Sequence, residues 1–190
     1  MRQTERRSDH LHPRAALVVA TLMGLAMAIA DVATAEEAAR RQTGQPWSAA
    51  LAAVSDALAA KNVGAADRAW RDAYGAALGS RTWVGMAEVG DAALRIGDAT
   101  PLRKPYEAKA RDSYLTALFR ARSQGSLDGV LRIAQAFEAL GDREVVKGCI
   151  RIAERVAMQT RDIDSRDRVK AFAARFSERP AVVSPLRTAP

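Results

Sequence analysis

The stretch VLRIAQAFEALGDREVVKGCIRIA, residues 130–153, decides the fold. Val130, Ile133, Ala134 and Phe137 fall at i, i+3, i+4 and i+7, which is one face of a helix. Gly141 follows four positions later, where a helix can end on a left-handed residue. Beyond it, Val146, Ile150 and Ala153 mark the same kind of face on a second helix. Helix, tight turn at Gly141–Asp142 and second helix can thus be read from one short segment.

The same spacing recurs twice upstream. Leu51, Val54, Ser55 and Leu58, then Met86, Val89, Gly90 and Ala93, repeat the first arm, and Asn62 and Gly97 take the place of Gly141. Ala66, Trp70 and Ala73, then Ala110, Tyr114 and Ala117, repeat the second. Three helix pairs that cannot each bury a face alone should stack on one another. Composition agrees: apolar residues make up 48% of the 190, alanine, the best helix former, is by far the commonest of them, and only ten aromatics serve the whole chain. The expectation is an all-α protein of stacked antiparallel helix hairpins.

Helices are expected at about 47–61, 65–78, 81–96, 105–122, 127–140 and 143–160. Units then span 47–79, 80–124 and 126–160. Pro46 suits the first turn of the first helix, and Ser80 and Ser126 are expected N-caps. Ala110 lies thirteen residues past Gly97, whereas Val146 lies five past Gly141, so unit two should carry an inserted loop. A seventh helix at 165–177 groups Val169, Phe172, Ala173 and Phe176 on one side and would cover the end of the stack. Residues 36–46 read as a linker or short helix. The proline-bearing stretch 178–190 reads as a disordered tail.

On these residues the chain resembles the tetratricopeptide repeat (TPR) family, over about 47–158. Its first helix carries a large, an apolar, a small and an aromatic position, and its second an Ala–aromatic–Ala pattern. Unit three matches best, through Val130, Ile133, Ala134, Phe137, Gly141, Val146, Ile150 and Ala153. No unit has the large first aromatic or the closing proline. The resemblance implies a TPR-like right-handed α-solenoid with a C-terminal capping helix. It also implies a groove, lined by the first helices, that binds a peptide or protein segment. Projected onto this chain, the groove comprises Ala52, Asp56 and Ala59; Val84, Ala87, Asp91, Leu94 and Arg95; and Asp128, Leu131, Gln135 and Glu138. At those positions four acids face one base, which suits a basic or apolar partner segment.

Residues 1–35 read as an export signal. Arg2, Arg6, Arg7 and Arg14 precede an uncharged run from Ala15 to Ala30, and Ala33-Thr34-Ala35 is a cleavage site before Glu36. The periplasm or secretion is the expected destination. The alternative is an uncleaved inner-membrane anchor, although 16 apolar residues fall just short of the about 17–25 that span a bilayer. Removing 1–35 changes the formal charge from +7 to +6. The basic residues are interspersed with acids, as in 161–168, so no nucleic-acid partner is expected.

Little reactive chemistry is left. His10 and His12 are the only histidines and lie in the export segment, and Cys149 is the only cysteine. No internal disulfide can form, and no catalytic, cofactor or metal residues are assigned. Cys149 is expected to pack in the core. Carboxylate pairs such as Glu88 with Asp91 and Glu107 with Asp112 leave an extracytoplasmic carboxylate enzyme as the third reading. Trp47, Trp70 and Trp83 are expected in the core rather than on a ligand ring.

Overall fold

Left-handed residues set four of the turns that organise this chain, and three of the four are built the same way. A computed structural model describes residues 44–101, 103–160 and 162–179. The export segment, most of the 36–46 linker and the tail from residue 180 lie outside the described residues. The chain divides into two units, Met1–Gln45 and Pro46–Pro190, and every described helix belongs to the second. They are α1 (Ser48–Ala59), α2 (Val63–Ser80), α3 (Trp83–Asp98), α4 (Arg103–Ser123), α5 (Leu127–Ala139), α6 (Arg143–Thr160) and α7 (Ile163–Glu178). No strand occurs among the described residues, so the protein is all-α there.

Gly141 has φ +77°; Gly141 N–H donates to Glu138 O at 3.1 Å and Asp142 N–H to Phe137 O at 2.9 Å. These bonds satisfy carbonyls that the ending helix leaves open. Gly125 (φ +63°) and Lys61 (φ +54°) repeat the pair of bonds after α4 and α1. The expected turn residue Asn62 is therefore displaced by one: Lys61 takes the left-handed conformation. Asn62, at φ −100°, instead caps α2 by accepting from Ala65 N–H at 3.0 Å. Ser126 caps α5 as expected, accepting from Gly129 N–H at 3.1 Å.

Two expected boundaries move. Gly79–Ser80 does not close α2, because Ser80 is still helical and Arg81 turns the chain at φ +58°. Ser80 is not a cap for α3, which begins at Trp83 after Thr82; its hydroxyl donates back to Ala77 O at 2.7 Å. Gly97 does not end a helix through a left-handed turn. It lies buried inside α3, where a Cβ would stand 3.0 Å from Tyr106 Cβ, so its role is close approach of α4. The insertion in unit two is only partly loop. Ala110 is the eighth residue of α4 while Val146 is the fourth of α6, so an added helical turn takes up half of it.

Each helix packs on the next along the chain, and α1, α3, α5 and α7 also meet in succession. Among the described residues no helix meets one more than two places away. Alanine lines the seams: Ala66, Ala73, Ala77, Ala92, Ala93, Ala110, Ala117 and Ala153 are all fully buried. Glycine lets the aromatic rings in. A Cβ on Gly85 would sit 2.9 Å from the Trp47 ring, and one on Gly129 2.9 Å from the Trp83 ring. Trp47 and Trp70 are buried as expected, with the Trp70 indole N–H donating to Val89 O at 2.9 Å. Trp83 is half-buried against the core. Cys149 is fully buried, and burial pushes its thiol up to about 11.

Candidate functional site

The succession α1, α3, α5, α7 presents one continuous row of helices, and the projected groove residues fall on it. Ala52, Asp56 and Ala59 are exposed on α1; Val84, Asp91 and Leu94 are half-buried and Arg95 exposed on α3. On α5, Asp128 and Gln135 are exposed and Glu138 is half-buried. Ala87 and Leu131 are buried, at 3% and 8% exposure. Ala87 is thus a packing residue, whereas Leu131 forms the floor of a trough.

Three of the four acids projected onto this row, Asp91, Asp128 and Glu138, are already paired, while Asp56 stands exposed. Asp91 on α3 accepts from Tyr114 Oη at 2.7 Å and from Arg132 Nη2 on α5 at 2.5 Å. Asp128 on α5 pairs with Arg168 on α7, and Glu138 on α5 with Arg179 just past α7 at 2.9 Å. Glu88 accepts from the Trp47 indole N–H at 2.6 Å, and Arg95 donates to Ser55 Oγ at 3.3 Å. The ratio of four acids to one base holds only for the projected positions. Arg132, Arg168 and Arg179 are brought in by the next odd helix or its end and cancel most of that bias.

The sequence separations of these links are nearly constant: 41 for Trp47–Glu88, 40 for Ser55–Arg95, 41 for Asp91–Arg132, 40 for Asp128–Arg168 and 41 for Glu138–Arg179. The odd helices themselves begin 35, 44 and 36 residues apart, so these links join each odd helix to the next through non-equivalent positions. An isolated exposed pair contributes only about 0.2–1 kcal/mol. The significance of the series is that every odd helix is tied to the next.

Tyr114 anchors the middle of the row from below. It is almost fully buried, meets Phe137 edge-on at 5.9 Å between ring centres, and lies on Gly90, where a Cβ would be 2.5 Å from the ring. Burial first, and then the bond to Asp91, raises its hydroxyl pKa well above that of an ordinary tyrosine. The hydroxyl stays protonated and keeps donating to Asp91.

Between α5 and α7 the row opens into a trough of about 380 Å³. Leu131 and Phe172 supply apolar surface, Asp128, Gln135 and Arg168 line it, and Arg175 lies over the Phe172 ring at 5.1 Å. Three projected residues, Asp128, Leu131 and Gln135, meet here. Asp56, Val84, Leu94 and Arg95 lie on the same row but outside this trough. The contribution of α7 was missed because its apolar face alone was read. Arg168 and Arg175, seven apart and so on one helical face, were the available signal.

The other carboxylate pairs also have partners. Glu107 pairs with Arg103 at 2.9 Å and with Arg111 at 3.6 Å, while Asp112 is exposed. No three His, Cys, Asp or Glu side chains gather closely enough to hold a metal among the described residues. No protein-family model matches the chain, and no match was found among curated proteins or solved structures.

Proposed function

We propose that this chain is an exported protein-interaction module: a right-handed, TPR-like array of helix hairpins, covered at its end by α7, that holds a segment of another protein along its odd helices. The observation carrying the reading is that each helix packs on its neighbours in the chain while side chains link every odd helix to the next, through Trp47 with Glu88, Asp91 with Arg132, Asp128 with Arg168 and Glu138 with Arg179. Contacts confined to near neighbours support the same reading.

The trough between α5 and α7 is the part of the face best suited to a ligand. Its carboxylate Asp128 is engaged by Arg168, while Leu131 and Phe172 offer apolar surface. An apolar segment therefore suits it better than a basic one, which would have to displace arginine. Glu36 is the proposed mature N-terminus, and the periplasm or the exterior the proposed site of action.

Site-specific photocrosslinking tests the face. A photoreactive residue at Gln135, exposed on the trough, should capture a discrete partner segment in native cells, while one at Asp112 on α4 should not. Absence of a discrete product at 135, or equal capture at 112, would reject the assignment. Mass spectrometry of the purified N-terminus checks export: a start at Glu36 is expected, and a retained 1–35 segment would favour the anchored alternative.

A further inference from the structure

The large apolar side chains left exposed among the described residues are concentrated at one end of the even helices. Leu78 is 45% exposed in the last turn of α2, Phe119 70% near the end of α4 and Met158 65% in the last turn of α6. Leu115, one turn before Phe119, is 49% exposed, and Ile163, 69% exposed, opens α7. Hydrogen bonds tie two of these ends, those of α2 and α4, together. Arg120 donates to Ala77 O at 3.0 Å, Thr82 O at 2.9 Å and Leu78 O at 2.8 Å, and Gln124 Nε2 donates to Arg81 O at 3.0 Å. Arg122 and Arg155 line one cleft between α4 and α6. The result is an edge that carries exposed Leu78, Phe119 and Met158 together with the exposed guanidinium groups of Arg81, Arg122 and Arg155, Met158 also lining a cleft between α6 and α7 with Glu154, Arg166 and Lys170.

None of those three arginines forms an ion pair among the described residues. They contrast with Arg132, Arg168 and Arg179 of the odd-helix face, which are matched to carboxylates. The acids next to it in sequence are Asp112, one turn before Leu115, Glu154, one turn before Met158, and Asp164 beside Ile163; Asp162 is engaged in capping α7. Over Leu78, Phe119 and Arg122 the edge is cationic and apolar together.

We propose that this edge docks on an anionic lipid surface, with Leu78, Phe119 and Met158 entering the headgroup region and Arg81, Arg122 and Arg155 meeting lipid phosphates. Side chains that protrude singly from three different helices gain little from a rigid partner, which must match each of them in shape. A fluid interface accepts each one separately, and anionic headgroups attract the intervening charge. Guanidinium pairs well with phosphate oxygens, and no existing ion pair has to break first.

The full-length chain, labelled at a single cysteine with an environment-sensitive fluorophore, tests this. Cys149 is fully buried and should stay unlabelled in the folded protein. Ser123→Cys places the probe one turn from Phe119, and Lys104→Cys places it about 28 Å away along α4. Position-resolved readout matters because residues 15–30, where retained, would bring the chain to vesicles by another route. Phosphatidylcholine vesicles containing phosphatidylglycerol should raise and blue-shift emission at 123 but not at 104, and high salt should abolish the change. Arg81→Glu with Arg122→Glu and Arg155→Glu should weaken the response by roughly a hundredfold with helical circular dichroism retained. No response at 123, an equal one at 104, insensitivity to salt, or an equal response to pure phosphatidylcholine overturns the proposal. A probe at 123 that responds only to a protein partner overturns it as well and assigns the edge to protein recognition.

Discussion

A methyl group at position 90 would stand 2.5 Å from a Tyr114 ring carbon, inside any permissible contact. Gly90→Ala must therefore push the ring off its seat, and the bond from Tyr114 to Asp91 with it. Overpacking of this kind costs about 1–3 kcal/mol, so the urea midpoint should fall accordingly. At Gly141, with φ +77°, a side chain meets no neighbour but does meet backbone strain, and Gly141→Ala should cost about 1 kcal/mol. Lys61→Gly relieves the converse strain at φ +54° and should raise stability by about 0.5 kcal/mol, because its left-handed cost exceeds the entropy glycine adds to the unfolded chain. Thermal melts of the two variants should move in opposite directions. Cys149, protonated and enclosed, should react with a thiol reagent at pH 8 only once denaturant opens the fold. Rapid labelling of the native protein would contradict that.

The staple between α2 and α4 depends on one carboxylate. Asp67 accepts from Lys109 Nζ at 2.8 Å and Tyr106 Oη at 3.1 Å, and pairs with Arg71 at 3.1 Å. Lys109 Nζ in turn lies 4.7 Å from the Trp70 ring centre and 4.5 Å from that of Tyr106. Lys109 does most to hold the Asp67 pKa below its ordinary value, against burial that raises it, and Tyr106 assists. A carboxyl group whose pKa is depressed on folding stabilises the fold above its unfolded pKa of about 3.9, and that contribution disappears as pH falls through the lower folded value. Asp67→Asn should therefore lower the melting temperature at pH 7 and converge with the unsubstituted chain once the pH falls below the depressed folded pKa of Asp67. A constant difference across that range would remove Asp67 as its source. At this scale the sequence was legible where periodicity governs. The bounds of α6 and the caps of α5 and of the Gly141 turn follow from local residue chemistry. The Gly97 turn and the inserted loop were misread because Tyr106 needs a glycine to pack on, a tertiary demand that looks identical to a helix stop in one dimension.

In the unit that contains the helices, contacts run only to near neighbours, so its interior has no single centre on which all seven depend. Native-state hydrogen exchange should then be graded: slowest in α3–α5, where Met86, Ile96, Tyr114 and Ile133 are fully buried, and fastest at α1 and α7. Uniform exchange in one cooperative step would argue for a different architecture. The row of odd helices was foreseeable at this scale, since the apolar spacing gives each helix its buried face and hence its outward one. The pairing of its charges was not. Arg132, Arg168 and Arg179 find Asp91, Asp128 and Glu138 only because packing lays one odd helix beside the next, a tertiary relation that no local motif encodes. The short range of the contacts also bears on how the chain comes into being. A segment leaving a ribosome or a narrow channel meets the helices it needs among those that have just emerged, so its order of synthesis can serve as its order of assembly.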